Sequence, residues 1–345
     1  MRKSRMSLPL RITWFLISAF AICYPSYYAL YRLPFLLEGG SEGVFSFFSG
    51  IPLTKSSDKS SSVTMLEDDD WYAFSPDEGA IPYVAPVTTR EDTTETPPEE
   101  AEPLKVITIE SKIKPKNNPE LPFDQNALLL QPLSFDRTTQ TVLIIHSHGS
   151  ESYSQYQSAF WAENKDVRTT NPDKNVVAVG RVLRDELIEY GFRVIHDETL
   201  CDQPYNTSYK TALTLIEKHM KADSSIGMVL DLHRDSLTAT DGIRYKVLSS
   251  DGKSAQLMFV VGSNKLLSHN GWQDNLAFAL HLQSDLMEHH TNLMRPISIS
   301  KNRYNQHVTP FSLIIECGTE ANTLAEAKES IKSFAAALDR VLPEN

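Results

Sequence analysis

From Thr139 to Leu342 the chain alternates short apolar runs with longer stretches of helical spacing. Thr141–Ile145 (TVLII), Ile226–Leu232 (IGMVLDL) and Phe311–Ile315 (FSLII) have the pattern of strands covered on both faces. Phe192–Ile195 reads as a further strand. Asn175–Tyr190 places Val176, Val179, Val182, Leu183 and Leu187 at helical spacing, and Gly191 ends it. Thr207–Lys221 reads as a helix on Ala212, Leu213, Leu215 and Ile216, and Trp272–His289 as a longer one. Thr323–Leu342 is a last helix, opened by Thr323 and Glu326 at capping-box spacing. Ile243–Leu248 and Gln256–Val261 read as a strand pair about the Asp251-Gly252 turn signal. Strands alternating with helices predict an α/β fold, a three-layer domain over residues 139–345 with a mostly parallel central sheet.

The pattern changes before Thr139. Residues 36–138 are rich in Ser, Thr, Pro, Asp and Glu, with no sustained apolar period. Such a stretch buries too little surface to offset chain entropy and reads as a mostly disordered acidic stalk. Only Val106–Ile113 alternates like a short strand. Between Glu67 and Glu102 stand twelve acids and one base, Arg90, so this stretch carries the whole net charge of -11. No basic excess remains for a phosphate footprint, which argues against a nucleic-acid binder.

Residues 1–35 read as an N-terminal membrane anchor. Ile12–Tyr31 is twenty residues without a charge. At about 1.5 Å per residue it spans the ~30 Å hydrocarbon core. Arg2, Lys3, Arg5 and Arg11 precede it without an acid, which places the following domain outside the cytoplasm. The competing reading is a signal peptide cleaved after Ala19-Phe20-Ala21. Both readings export the same domain.

Three of the apolar strands end in polar clusters: His146, His148 and Glu151 in IIHSHGSESY, Asp231, His233, Arg234 and Asp235 in LDLHRDS, and Glu316 in LIIECGTEAN. Open α/β sheets bind ligands at the carboxyl ends of their strands. Two imidazoles and a carboxylate brought together there have the composition of a catalytic zinc site with one position left for water. For any one of these histidines the ordinary reading is a hydrogen-bonded surface residue, and Arg234 and Asp235 have the alternative of pairing with each other. The sequence has no G-x-S-x-G, P-loop or G-x-G-x-x-G.

IIHSHGSESY, NVVAVGRVL, the segment Pro204–Tyr209, DLHRDS, Tyr304-Asn305-Gln306 and LIIECGTEANT, in this order, resemble the stage II sporulation protein P family of endospore-forming bacteria. That family is similar to zinc-dependent N-acetylmuramoyl-L-alanine amidases. The resemblance implies cleavage of septal peptidoglycan during engulfment of the forespore, an added endopeptidase activity, and work beside stage II sporulation proteins D and M at the membrane. It implies zinc on His148, with His146 in reserve, and on His233. Glu316 becomes the general base, with Arg234 and Asp235 as further catalytic candidates. The third ligand is read as Glu151, with Asp173 as its rival. Cys201 stands where the family pattern is expected to have histidine. A Cys201–Cys317 disulfide and two free thiols are both open readings.

Overall fold

The computed structural model describes residues 80–82, 96–162, 167–239 and 241–344, all within the unit Ser61–Asn345. In chain order the strands are β1 (Ala80–Pro82), β2 (Leu104–Ile109), β3 (Lys116–Asn117), β4 (Thr141–Ile145), β5 (Arg193–His196), β6 (Ile226–Asp235), β7 (Arg244–Val247), β8 (Leu257–Gly262), β9 (Ser298–Ser300) and β10 (Phe311–Thr319). The helices are α1 (Gln125–Leu130), α2 (Val176–Glu189), α3 (Ser208–Ala222), α4 (Trp272–His289) and α5 (Leu324–Val341).

Seven strands make the central sheet in the order β3-β9-β8-β10-β6-β4-β5. Every neighbouring pair is parallel except β10–β8. Because side chains alternate along a strand, β4 sends Val142 and Ile144 into the larger core under α2, α4 and α5. Leu143 and Ile145 pack on the other side with Ala212 and Ile216 of α3. Helices therefore cover both faces, giving three layers. Asn175 caps α2 by accepting from Val177 N–H, and Thr323 and Glu326 form the expected capping box on α5.

Two expectations need correction. The Asp251-Gly252 turn is present, with Asp251 accepting from the Lys253 and Ser254 N–H groups, but it does not join a hairpin. β8 lies in the central sheet, whereas β7 enters a separate sheet of order β1-β2-β7. Only the Leu248–Ala255 bridge links the two arms.

The folded part also begins well before Thr139. β2 pairs with β7, β3 extends the central sheet beside β9, and Leu128 of α1 enters the main core. Ile107 and Ile109 bury against Tyr245 and Val247, each such side chain contributing about 1.5–3 kcal/mol. A chain starting at Thr139 is therefore expected to melt at least ~5 °C below one starting at Thr96, followed by circular dichroism. Equal midpoints would return this segment to the stalk. Among the described residues no helix is long and apolar enough to cross a membrane. The proposed anchor at Ile12–Tyr31 lies outside the described residues.

Candidate metal centre

Strand period decides which side chains reach the centre. On β6, Leu230 and Leu232 face the larger core, so Asp231 and His233 stand on the α3 face. On β10, Leu313, Ile315 and Cys317 face the larger core, so Glu316 shares the face of His233. The two strands run parallel with Glu316 directly opposite His233. Beyond β4 the chain turns and carries His148 and Glu151 over this face.

His148, Glu151 and His233 are all buried and offer ligand atoms lying within 4.8 Å of one another. Nδ1 of His148 lies 3.5 Å from Glu151 Oε1, and Nδ1 of His233 lies 3.6 Å from Glu151 Oε2. The other ring nitrogens have their own neighbours. His148 Nε2 meets Ser208 Oγ at 3.1 Å. His233 Nε2 is 3.0 Å from Asp231 Oδ1, close enough to pair but not aligned as a hydrogen bond. Asp231 is itself held by the backbone N–H and hydroxyl of Ser147. Such outer partners set the tautomer and tilt of a metal-binding imidazole. The Arg234 N–H donates to Glu151 Oε2 at 3.0 Å, and Arg168 reaches Oε1 at 3.4 Å.

Aromatic rings wall the site. Tyr205 stacks on His148 with centroids 4.9 Å apart, and Tyr209 lies parallel to His233 at 6.4 Å. Arg168 sits over Tyr205 at 4.7 Å.

Electrostatically the centre calls for a cation. Burial by itself would raise the Glu151 pKa, but His148, His233 and Arg234 outweigh it and hold the carboxyl well below its usual range. Burial would lower His233, yet Asp231, Glu151 and Glu316 raise it to about 10. Glu316 is pushed up to about 8, first by burial and then by Asp235 and Glu151 against the pull of His233. Its Oε2 is buried without a hydrogen-bond partner. Two imidazoles, a carboxylate between them and an orphaned carboxylate oxygen fit a divalent ion.

Other candidates lie elsewhere. His146 follows Ile144 in strand parity and turns to the α2 side. There its Nε2 meets His196 Nε2 at 2.8 Å. Gly180 makes room, since a Cβ there would come within 2.7 Å of that nitrogen. His146 is thus not in the centre. Asp173 is exposed and pairs with Arg181 at 2.5 Å. Arg234 and Asp235 do not pair side chain to side chain. The Arg234 guanidinium donates to the carbonyls of Ser152, Val167 and Asp235, while Asp235 pairs with Arg295 at 2.6 Å. Cys201 and Cys317 are free, because they lie in cores on opposite sides of the sheet. Sequence reading assigned no role to Asp231, Ser208, Tyr205 or Tyr209. For Asp231 a signal existed: two residues before His233 on one strand, it must share its face.

The Stage II sporulation protein P family model matches residues 75–339. The chain belongs to this family. Comparison of this family member with curated proteins finds no match. Among solved structures it is similar to the N-acetylmuramoyl-L-alanine amidase AmiC2 of Nostoc punctiforme, at 12% identity and TM-score 0.33 over 59% of this chain and 95% of that one. It is similar to an N-acetylmuramoyl-L-alanine amidase from Clostridium difficile 630, at 15% identity and TM-score 0.36 over 59% and 95%. The catalytic domain of CwlV, an N-acetylmuramoyl-L-alanine amidase from Bacillus (Paenibacillus) polymyxa var. colistinus, gives 11% identity and TM-score 0.35 over 60% and 99%. At identities this low the likeness says nothing of chemistry.

Proposed function

We propose that this chain is a zinc-dependent N-acetylmuramoyl-L-alanine amidase that cuts septal peptidoglycan outside the cytoplasmic membrane during sporulation. One observation carries the reading: the buried His148–Glu151–His233 cluster with Glu316 opposite His233 in register. His148, His233 and Glu151 would hold the metal. Zinc bound there supplies a Lewis acid for the amide carbonyl and lowers the pKa of a bound water to about 7.

The chain's own residues do the rest. Asp231 and Ser208 orient the two imidazoles through their outer nitrogens. The Arg234 N–H fixes one oxygen of Glu151 and leaves the carboxylate spanning both histidines. Glu316 takes the proton from the attacking water and passes it to the leaving amine, the role of a general base that becomes a general acid. Its burial favours the protonated form, and the metal's positive charge would bring it back toward ionisation. Tyr205 and Tyr209 keep bulk water from the imidazoles.

The anchor belongs to this proposal on the uncharged run Ile12–Tyr31 and the bases before it, and the endopeptidase activity and partnership with stage II sporulation proteins D and M on the strength of family membership. Digestion of purified sacculi, with products identified by mass spectrometry, tests it. Free stem peptides are the expected product. Uncrosslinked muropeptides alone would replace the amidase with a peptidase, and unaltered sacculi would leave a scaffold.

A further inference from the structure

Arg234 follows His233 on β6, yet strand parity turns its side chain to the opposite face, the one that carries Leu230 and Leu232. The residue is buried, and all three guanidinium nitrogens are engaged by backbone carbonyls. Nε donates to Ser152 O at 2.9 Å, Nη2 to Val167 O at 3.0 Å and Nη1 to Asp235 O at 3.3 Å. Its partners among the described residues are thus carbonyls and not carboxylates. A guanidinium placed in this way fixes backbone geometry and does not reach the reacting atoms.

The carbonyls it holds belong to the segment that carries Glu151 and to the one facing it. Residues 150–152 and 167–169 run antiparallel. Ser152 N–H donates to Val167 O at 3.0 Å, Thr169 N–H donates to Ser150 O at 2.8 Å, and Glu151 stands opposite Arg168. So short a two-stranded pairing is marginal without outside support. Arg234 supplies it on both segments, one residue after Glu151 and one before Arg168. Its backbone N–H also donates to Glu151 Oε2 at 3.0 Å. Val167 points to the same place. Its φ of +50° lies in the left-handed region, which a β-branched residue rarely adopts. Such a conformation persists only where the surroundings over-determine it, and it gathers at functional sites. Here the Val167 carbonyl accepts from both Ser152 N–H and Arg234 Nη2, and its side chain is buried with Phe160 and Ala321.

We infer that Arg234 is a positioning residue whose guanidinium locks the pairing of 150–152 with 167–169 and so holds the Glu151 carboxylate between His148 and His233. The inference rests on the reading of these three residues as metal ligands and deepens it. Metal affinity then depends on a side chain that touches neither ion nor substrate. Lysine cannot replace it, because one ammonium is a point donor and cannot span carbonyls on two segments as a planar fork does.

The test uses the full chain and measures zinc affinity by competition with a chromophoric chelator, and the absorption of the cobalt-loaded protein. Arg234→Met should weaken zinc binding by about 10–100-fold, the range for a lost outer support. Its cobalt spectrum should move toward that of Glu151→Gln. The double variant Arg234→Met/Glu151→Gln should bind zinc no more weakly than Glu151→Gln alone, since nothing is then left to position. Leu338→Ala, a buried change late in α5, controls for general instability and should lower the melting temperature while keeping zinc affinity. If Arg234→Met does not fold, Arg234→Lys keeps the charge and should still weaken zinc binding by at least about threefold. Unchanged affinity in the Arg234 variants overturns the inference. So does a loss that adds in full to that of Glu151→Gln, or an equal loss in Leu338→Ala. Full affinity in Glu151→Gln alone would instead overturn the ligand set beneath the proposed function, a failure visible without any change at Arg234.

Discussion

Replacing His233 with alanine is expected to empty the metal centre. His148, Glu151 and His233 are the one buried group of potential ligands gathered within 4.8 Å among the described residues. Losing one of three protein ligands leaves a site that cannot complete a tetrahedral set. His148→Ala should do the same. Metal analysis of the purified variants should find less than a tenth of the metal bound by the unaltered chain, an order-of-magnitude expectation for an incomplete site. Asp231→Asn keeps all three ligands but weakens the outer partner of His233, so its affinity should fall by only about 10–100-fold. Asp173→Asn should change nothing, since Asp173 is exposed and paired with Arg181. Full metal content in both alanine variants would place the ion elsewhere and remove the chemical basis of the amidase.

Glu316→Gln is expected to separate holding the metal from using it. The amide has the size of the carboxylate but cannot accept a proton. The variant should keep its metal and still bind sacculi, while cleavage slows by at least ~10²-fold, the low end for a positioned acid–base group. Loss of metal would make Glu316 a ligand. Undiminished cleavage would assign the proton transfer to another group.

The same variant has a stability signature in the metal-free protein. Burial raises Glu316 from 4.5 to about 8, so across that window the native state keeps a proton that the unfolded chain has released. Native protein then binds more protons than unfolded protein, and stability falls as pH rises. His233, raised from 6.5 to about 10, contributes stability that is full below pH 6.5 and is lost as pH rises through 10. Between pH 4.5 and 6.5 the decline therefore comes from Glu316 and not from His233. Urea melts of chelator-treated protein should show that decline in the unaltered chain and a flatter profile in Glu316→Gln. Equal slopes would mean that the Glu316 carboxylate is not held in a site that disfavours its charge.

Local pattern carried most of the secondary structure and much of the chemistry. Unbroken apolar runs such as TVLII and FSLII became buried strands, and capping residues such as Thr323 and Glu326 marked a helix start, because these features depend on neighbours a few residues away. The residue types His148, His233, Glu151 and Glu316 were legible at or just beyond strand ends for the same reason. Tertiary structure decided what sequence left open. Only the parity of β4 and the turn after it separate His148, over the site, from His146, under α2 beside His196. Only the path of that turn brings Glu151, and not Asp173, between the two imidazoles. The strands β3 and β9 are too short and too polar to announce themselves, and of β2 only the alternation from Val106 onward showed in the sequence. They exist because partners distant in sequence supply their hydrogen bonds and cover. Residue chemistry was thus written locally, whereas the choice among candidate ligands depended on which strands pair and in what register, a property of contacts across tens to hundreds of residues.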